Sequence, residues 1–196
     1  MVARSPSVLA ACLTLLSATI PQQAIGQERQ PTAAQIAEWR RLGEPGPAHE
    51  RLAPLVGRWT FRITFGDASD GQSAAGETEY KLLMGGRFLV EESRTTFAGQ
   101  PFEWIGIHGY DNVMRKYTSA WIDNLGTQID RMDASFDSGA NRLTYEGDDA
   151  NPGQGKVRVR WAIDFQSRDS YTVTMTEIAP SGAEQVRGTI VATRAR

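Results

Sequence analysis

Two short segments carry alternating residues whose types suit ligand binding or acid–base chemistry. They are, in order, Trp104, Gly106, His108 and Tyr110, and then Tyr117, Ser119, Trp121 and Asp123. Because every second side chain of a β-strand points to the same side, each set shares one face of a strand. If Tyr110 pairs with Tyr117 across the intervening turn, the two faces adjoin, and Gly106 leaves room for the indole of Trp121. Small-ligand cavities combine aromatic walls with a few polar groups, so we predict that this combined face lines a cavity.

His108 is the candidate for acid–base chemistry on that face. As a general base it needs a carboxylate to orient it, and either Asp123 or Glu91 could serve. A histidine inside a barrel could also be the axial ligand of a haem, or a structural residue with no further role. Glu91 and Glu92 cannot act together, because consecutive strand residues point to opposite sides and only one of them faces inward. We assign no catalytic residue, and the sequence identifies no cofactor.

The opposite face of the same two segments is apolar. It holds Ile105, Ile107, Ala120 and Ile122. A shift of one residue in the pairing exchanges the two faces, so a second arrangement has to be considered. In that arrangement the isoleucines fill the core, and the aromatic face points outward or lies beneath the helix that contains Trp39.

The elements that must position these residues are strands, since apolar and polar residues alternate along most of the chain. The alternation is clearest over Trp59–Phe65 and Val157–Phe165. Eight more segments are predicted as strands: Gly76–Met84, Arg87–Phe97, Phe102–Tyr110, Arg115–Asp123, Thr127–Phe136, Arg142–Glu146, Ser170–Ile178 and Glu184–Arg194. Turn residues separate most of them, and a loop is expected over Gly147–Gly155, with two aspartates in a solvated turn.

Short links between about ten strands predict an all-β, antiparallel, up-and-down β-barrel. Closing the sheet removes the exposed strand edges that would otherwise invite aggregation. A sandwich of two sheets is the competing architecture, but it would need a long connection between the sheets. Two helical segments precede the strands, over Ala33–Leu42 and His49–Val56.

The first 26 residues have the pattern of a signal peptide. Arg4 supplies the positive charge, Val8–Ile20 is apolar, and small residues end at Gly26. The apolar stretch is shorter than the roughly 20 residues that span a bilayer core. We therefore expect an exported protein, periplasmic or secreted, with an extension over 27–47 and a barrel domain over 48–196. Cys12 lies in a sequence like a lipoprotein box, but cleavage there would split the apolar stretch.

Composition excludes several classes of partner. The chain has 196 residues and a formal net charge of −2, and its basic residues are dispersed. We therefore expect no nucleic-acid partner. The short apolar stretch at the N-terminus predicts no membrane span. The only cysteine lies in the predicted signal peptide, so the mature chain has no disulfide. The oligomeric state is left open.

Several segments resemble known barrel proteins. Gly57 and Trp59, followed by Arg194 near the C-terminus, resemble the signature that closes lipocalin-like barrels. The runs Leu55–Trp59, Met84–Glu91, Gly109–Asn112, Lys116–Asn124 and Ala192–Arg194 resemble the bacterial "domain of unknown function 1579" family over about residues 48–194. The resemblance implies a lipocalin-like barrel in which Arg194 covers Trp59 and joins the first strand to the last. It implies no ligand and no catalytic residue.

These observations favour a lipocalin-like domain that binds a small, largely apolar ligand in its cavity. The expected lining is Glu91, Trp104, His108, Tyr110, Tyr117, Trp121 and Asp123. One alternative is an enzyme that uses His108 with Asp123 or Glu91. The other is a structural or interaction domain with a filled core, whose surface or Trp39 helix contacts a partner. An interior of roughly 300 Å³ or more would argue against that last alternative.

Overall fold

The computed structural model describes residues 30–66, 72–151 and 155–196, so the predicted signal peptide lies outside the described residues. Two helices and a 3₁₀ turn come first: α1 Ala33–Leu42, α2 Pro47–Glu50 and the turn Ala53–Leu55. Ten strands follow: β1 Gly57–Phe65, β2 Gln72–Leu83, β3 Phe88–Phe97, β4 Gln100–Asp111, β5 Lys116–Asp123, β6 Asp130–Asp137, β7 Arg142–Asn151, β8 Gly155–Ser167, β9 Ser170–Ile178 and β10 Glu184–Arg194. Among the described residues, no helix is long and apolar enough to cross a membrane.

The strands form one closed antiparallel barrel. Each strand pairs with the next along the chain, and β1 pairs with β10 to complete the ring. The predicted up-and-down barrel of about ten strands is therefore confirmed, and the sandwich is excluded. Alternation explains the faces: Trp59, Phe61 and Ile63 are buried along β1, while Thr60 and Arg62 are exposed.

Two predicted elements differ from the structure. The expected loop over 147–155 is wrong, because β7 continues to Asn151 and β8 begins at Gly155. Asp148 pairs with Arg158 across this ladder and lies 2.6 Å from the ammonium of Lys156. Opposite charges on facing strands stabilise a sheet, which is why this acidic segment is extended. The second predicted helix is interrupted after Glu50 and becomes a 3₁₀ turn.

Helix α1 lies on the outside of the barrel. Thr32 caps its first turn reciprocally with Gln35, and the amide of Asn112 donates to the carbonyls of Leu42 and Glu44. None of its side chains is buried, and Trp39 is 61% exposed. The helix therefore does not cover the aromatic face of β4 and β5.

The segment from α2 to the 3₁₀ turn closes one end of the barrel. Leu52 and Leu55 are buried in the core at this end. The hydroxyl of Tyr117 donates to the carbonyl of Ala48 at 2.9 Å, and His49 packs edge-on against Tyr110. We call this the closed end, and the end formed by the last residues of β5 and β7 the mouth.

Arg194 joins the last strand to the first at the closed end. Its guanidinium carbon lies 4.2 Å from the centre of the Trp59 ring, the arrangement that the family resemblance implies. The guanidinium also donates to the carbonyls of Pro54, Val56 and Arg168 and to Asp169. The Trp59 indole donates to the Leu55 carbonyl at 2.7 Å.

Gly57 is required at this contact for two reasons. Its φ of +118° lies in a region that side chains rarely allow, and a Cβ there would stand 2.9 Å from Arg194 Nη1. Any other residue would both strain the backbone and displace the guanidinium.

The substitution Arg194→Lys tests this contact. Lysine keeps the charge but cannot reach three carbonyls and stack on Trp59 at once, so the free energy of unfolding should fall by about 1–3 kcal/mol. Urea denaturation followed by tryptophan fluorescence measures the change. Arg62→Lys, on the exposed outer face of β1, is the control and should leave stability unchanged. Equal effects from both substitutions would contradict the role of Arg194.

Candidate ligand site inside the barrel

The pairing of β4 with β5 determines which side chains enter the barrel. Tyr110 pairs with Tyr117, and Gly106 pairs with Trp121, as the turn between the strands predicted. Trp104 and His108 are only 4% and 8% exposed, whereas Ile105 and Ile107 are 41% and 45% exposed. The aromatic and polar face therefore lies inside, and the isoleucines lie outside.

Glu91 is the centre of a buried hydrogen-bond network. Its Oε1 accepts from the indole of Trp104 at 2.6 Å and lies 2.9 Å from the hydroxyl of Ser93. Its Oε2 lies 3.3 Å from Nε2 of His108. The Ser93 hydroxyl also lies 2.6 Å from that of Thr78. Because Ser93 has one proton and a carboxylate can only accept, Ser93 donates to Glu91 and Thr78 donates to Ser93.

The network keeps Glu91 ionised. Burial by itself raises the pKa of a carboxyl, but the hydrogen bond and charge of His108 and the hydrogen bonds of Trp104 and Ser93 outweigh it. The pKa of Glu91 is therefore below its ordinary value. An ionised Glu91 also determines where His108 carries a proton, since Nε2 must be the donor in their contact.

Gly106 makes room for this pair. A Cβ at this position would stand 2.8 Å from His108 Nε2 and 3.2 Å from Glu91 Oε2. The absence of a side chain at Gly106 therefore leaves space for the histidine and the carboxylate.

The second ring nitrogen of His108 has no hydrogen-bond partner among the described residues. Nδ1 is buried, and it is the one buried side-chain nitrogen or oxygen in the described parts of the chain that lacks a partner. Leaving such an atom unsatisfied costs roughly 1–3 kcal/mol. A buried polar atom of this kind points to a water molecule or a ligand as its partner.

An enclosed cavity of about 50 Å³ adjoins His108. The rings of Trp104, Trp121, Trp161 and Tyr145 form much of its wall, and His108 and Glu91 are among its polar groups. Trp121 stacks on Trp104 with ring centres 5.2 Å apart and meets Trp161 edge-on at 4.9 Å. The volume holds a few water-sized groups and is well below the roughly 300 Å³ of a drug-sized site.

A larger depression lies outside the barrel, over β1 to β5. It measures about 770 Å³, and charged residues such as Glu92 and Arg94 flank the exposed Ile105 and Ile122. This depression is open to solvent and does not include His108. We therefore place the candidate site in the smaller, enclosed cavity.

The structure brings only part of the predicted lining to this cavity. Glu91, Trp104, His108 and Trp121 line it. Tyr110 and Tyr117 instead pack against the segment that closes the barrel. Asp123 lies at the mouth, where it accepts from the Trp121 indole and from the amides of the following turn. Glu91, rather than Asp123, is therefore the carboxylate that contacts His108.

Several lining residues were not among those predicted. They include Thr78, Tyr80, Tyr145, Trp161, Ile163 and Tyr171. Trp161 lies in a segment whose alternation was clear in the sequence, so its face was predictable. Its position beside Trp121 depends on how the barrel closes, which alternation along one strand does not specify.

Carboxyl groups gather at the mouth. Burial, the charge and hydrogen bond of Asp149 and the charge of Asp123 together raise the pKa of Asp130 to about 6. Gln128 acts in the opposite direction through a hydrogen bond. Within the described ranges, no group of three or more His, Cys, Asp and Glu residues is arranged to hold a metal ion.

The closed ten-stranded barrel, with its short closing helix and its arginine over the first tryptophan, is a lipocalin-like fold. The chain belongs to the family described as proteins of unknown function, DUF1579, whose profile matches residues 44–194. The family that the sequence motifs resemble is thus confirmed. No protein of curated function matches the chain.

Solved structures share the barrel. Rv2717c from M. tuberculosis is 19% identical, with a TM-score of 0.53 over 78% of this chain and 100% of that one. A redesigned β-barrel is 16% identical, with a TM-score of 0.39 over 74% of this chain and 96% of its own. Another, mFAP1 bound to DFHBI, is 18% identical, with a TM-score of 0.36 over 74% and 98%. At 19% identity the likeness to Rv2717c concerns the fold alone.

The substitution Asp130→Asn should stabilise the protein in alkaline solution. The folded state holds the Asp130 proton up to about pH 6, whereas an unfolded chain loses it near its ordinary value of 3.8. Folding is therefore penalised as the pH rises through this range, and the full penalty applies above it. Because solvent at the mouth of the barrel screens part of the effect, we expect a gain of about 1–2 kcal/mol at about pH 8 and almost none at about pH 4.

Urea denaturation at the two pH values measures this difference. Glu103→Gln, an exposed carboxyl on the outer face of β4, serves as the control and should change neither value. A gain of equal size at both pH values would show that charge at Asp130 is not the cause.

Proposed function

We propose that the interior of the barrel binds a small ligand beside His108. The single observation that carries the proposal is the buried Nδ1 atom of His108, which lacks a partner and belongs to a residue that lines an enclosed aromatic cavity. Nε2 of the same ring is occupied by Glu91, so the orientation of the imidazole is determined before any ligand arrives. Pre-oriented polar groups in an apolar pocket are typical of small-molecule sites.

The size of the cavity limits the ligand. A molecule of a few non-hydrogen atoms suits a volume of about 50 Å³. Binding of anything larger requires Trp121 to move, and this side chain is half-buried and donates one hydrogen bond, to Asp123. The sequence predicted a largely apolar ligand. Because a buried histidine and carboxylate line the cavity, the ligand should also carry a polar group that can contact them.

Access is proposed from the mouth. The closed end is filled by Leu52 and Leu55 and by the contacts of Tyr117 and His49. Trp121, by contrast, is the last paired residue of the β5 and β6 ladder, which runs only from Tyr117 to Trp121 along β5. We propose that its indole, which lines the cavity at this end, separates the cavity from solvent.

Tryptophan fluorescence tests the proposal, because Trp104 and Trp121 line the cavity. We expect at least one member of a panel of small alcohols, amines, acids and azoles to change the emission in a saturable way. His108→Ala should abolish the change, because it removes the unpaired nitrogen. Ile107→Ala, the outward-facing neighbour on the same strand, is the matched control and should preserve it.

Native mass spectrometry of the purified protein provides an independent measurement. A small molecule that stays bound to the wild-type protein and is lost from His108→Ala supports the proposal. The proposal fails if no panel member binds, or if the His108→Ala protein binds as the wild type does.

We also propose that the protein is exported, on the basis of the signal peptide pattern over residues 1–26. Intact mass and N-terminal sequencing of protein from a bacterial expression host should give a chain that begins at Gln27 in the periplasm or medium. A mature chain that begins at a lipid-modified Cys12 would show the lipoprotein alternative instead. A full-length chain in the cytoplasm would contradict both.

A further inference from the structure

We infer that the closed end of the barrel docks on the surface of an anionic lipid bilayer. Three neighbouring segments there carry exposed apolar side chains among exposed basic ones. They are helix α1 with the residues that follow it, over 33–45, the β2–β3 connection over 84–87 and the β4–β5 turn over 111–116. We call them together the closed-end surface. The inference concerns the outside of the protein and is independent of the ligand proposed for its interior.

Hydrogen bonds and an ion pair hold the three segments side by side. The amide of Asn112 donates to the carbonyls of Leu42 and Glu44, which joins the β4–β5 turn to the end of α1. The guanidinium of Arg87 lies 3.6 Å from the carboxylate of Glu44, which joins the β2–β3 connection to the same place. The segments therefore form one surface although they are far apart in the sequence.

The apolar side chains of this surface project into solvent. Met84 is 72% exposed, and Val113, Met114 and Trp39 are exposed to a similar degree. The other two turns at this end of the barrel, over 138–141 and 168–169, contain no large apolar residue. The exposed apolar groups are thus concentrated on the side that carries α1, and such a concentration marks an interaction site.

The charge of the closed-end surface favours an anionic partner. Its three segments contain five basic and three acidic side chains, a net charge of +2, although the whole chain has a net charge of −2. An anionic lipid surface attracts basic residues that lie within a Debye length of it.

The acidic side chains of this surface already have partners. Glu38 pairs with Arg41 at 2.7 Å, and Glu44 pairs with Arg87. The third, Asp111, accepts from the backbone amides of its own turn.

Two arginines of the surface are available to a partner. Arg40 follows Trp39 on α1, and Arg115 follows Met114 in the β4–β5 turn, and both arginines are exposed. Within the parts of the chain that the structure describes, neither takes part in an ion pair. Each free positive charge is therefore adjacent in sequence to an exposed apolar side chain.

The mouth provides a comparison within the same molecule. It also exposes large apolar residues, Leu125 and Ile129. Carboxyl groups surround them, however, because Asp123 accepts from the Leu125 amide and interacts with Asp130. An anionic bilayer repels an acidic end and attracts a basic one, so the closed end should approach the lipid and the mouth should face away from it.

A bilayer suits this surface better than a second copy of the chain. Apolar side chains on separate turns can enter the fluid headgroup region one by one, whereas a protein partner needs a matching recess for each of them. Tryptophan and arginine are also the residue types that anchor proteins at headgroup level, since each combines an apolar body with a polar group.

Sedimentation with vesicles tests the inference. The vesicles contain phosphatidylcholine alone, or phosphatidylcholine with an equal amount of phosphatidylglycerol. The protein and all variants are used in the form recovered from the bacterial host, so that they share one N-terminus. We expect at least roughly tenfold tighter binding to the anionic vesicles at about 0.1 M salt, and a smaller preference at about 1 M salt.

Two pairs of substitutions locate the binding. Met84→Ser with Met114→Ser should weaken binding to the anionic vesicles by about tenfold, because two apolar anchors are lost. Leu125→Ser with Ile129→Ser is the matched control, since these side chains are about as exposed but lie at the mouth. This control should bind as the wild type does. All four side chains are exposed, so neither pair should prevent folding.

A second comparison tests the charge. Arg40→Gln with Arg115→Gln should weaken binding to the anionic vesicles by roughly tenfold or more and leave binding to phosphatidylcholine unchanged. Arg62→Gln with Arg131→Gln removes two exposed arginines from the barrel wall and should have a smaller effect.

Quenching by brominated phosphatidylglycerol gives a readout of the closed end itself. Trp39 is exposed there, whereas Trp59 and Trp104 are buried. We expect the anionic vesicles to quench the part of the emission that Trp39→Phe removes.

Four outcomes would overturn the inference. They are equal binding to the two kinds of vesicle, wild-type binding by both closed-end variants, a loss confined to the mouth variant, and unquenched Trp39. A dimer in analytical ultracentrifugation that Met84→Ser with Met114→Ser abolishes would instead identify a second copy of the chain as the occupant. None of these outcomes bears on ligand binding beside His108, which the fluorescence panel tests separately.

Discussion

The pairing of β1 with β10 is the contact on which the interior of this protein depends. An open sheet of ten strands would leave two edges and no enclosed volume, whereas the pairing of Trp59 with Arg194 completes the ring. Arg194 reinforces the pairing because it also binds the carbonyls of the segment that leads into β1. The register of this pairing matters as much as its existence, since a shift of one residue would turn the buried face of β1 outward.

Within the closed barrel, the buried carboxylate of Glu91 must be surrounded by hydrogen-bond donors. Removing an ion from water costs several kcal/mol, and the cost is offset only when good donors surround it. Those donors come from Ser93 on β3, Trp104 on β4 and His108 on β4, and Thr78 on β2 supports Ser93. Three neighbouring strands must therefore keep their register for one side chain to be tolerated. An apolar core would be simpler to build, and this network is the feature on which the binding function proposed above rests.

Much of the fold could be read from alternation and turns, because these depend on local sequence. The pairing of Tyr110 with Tyr117 follows from a short turn, and the inward face of β4 follows from that pairing. The extension of β7 and β8 was missed because Asp148 suggested a solvated loop until its partner Lys156 was known. The sequence also could not choose between Glu91 and Asp123 as the partner of His108. Nor could it show that Tyr110 and Tyr117 lie at the closed end, since that depends on where the segment around Ala48 folds back.

The way the ring closes also has a consequence for how the protein folds. Arg194 and Val56 hydrogen-bond across a sequence separation of 138 residues, while every other strand pairs with its immediate neighbour in the chain. Contacts between distant residues are slow to form because a long loop must be ordered first. The hairpins can assemble in turn as the chain emerges, but the barrel cannot close until β10 has been made. Until then the sheet has two unpaired edges that can pair with other chains. The synthesis of the eleven-residue strand β10 therefore determines when the barrel can enclose an interior.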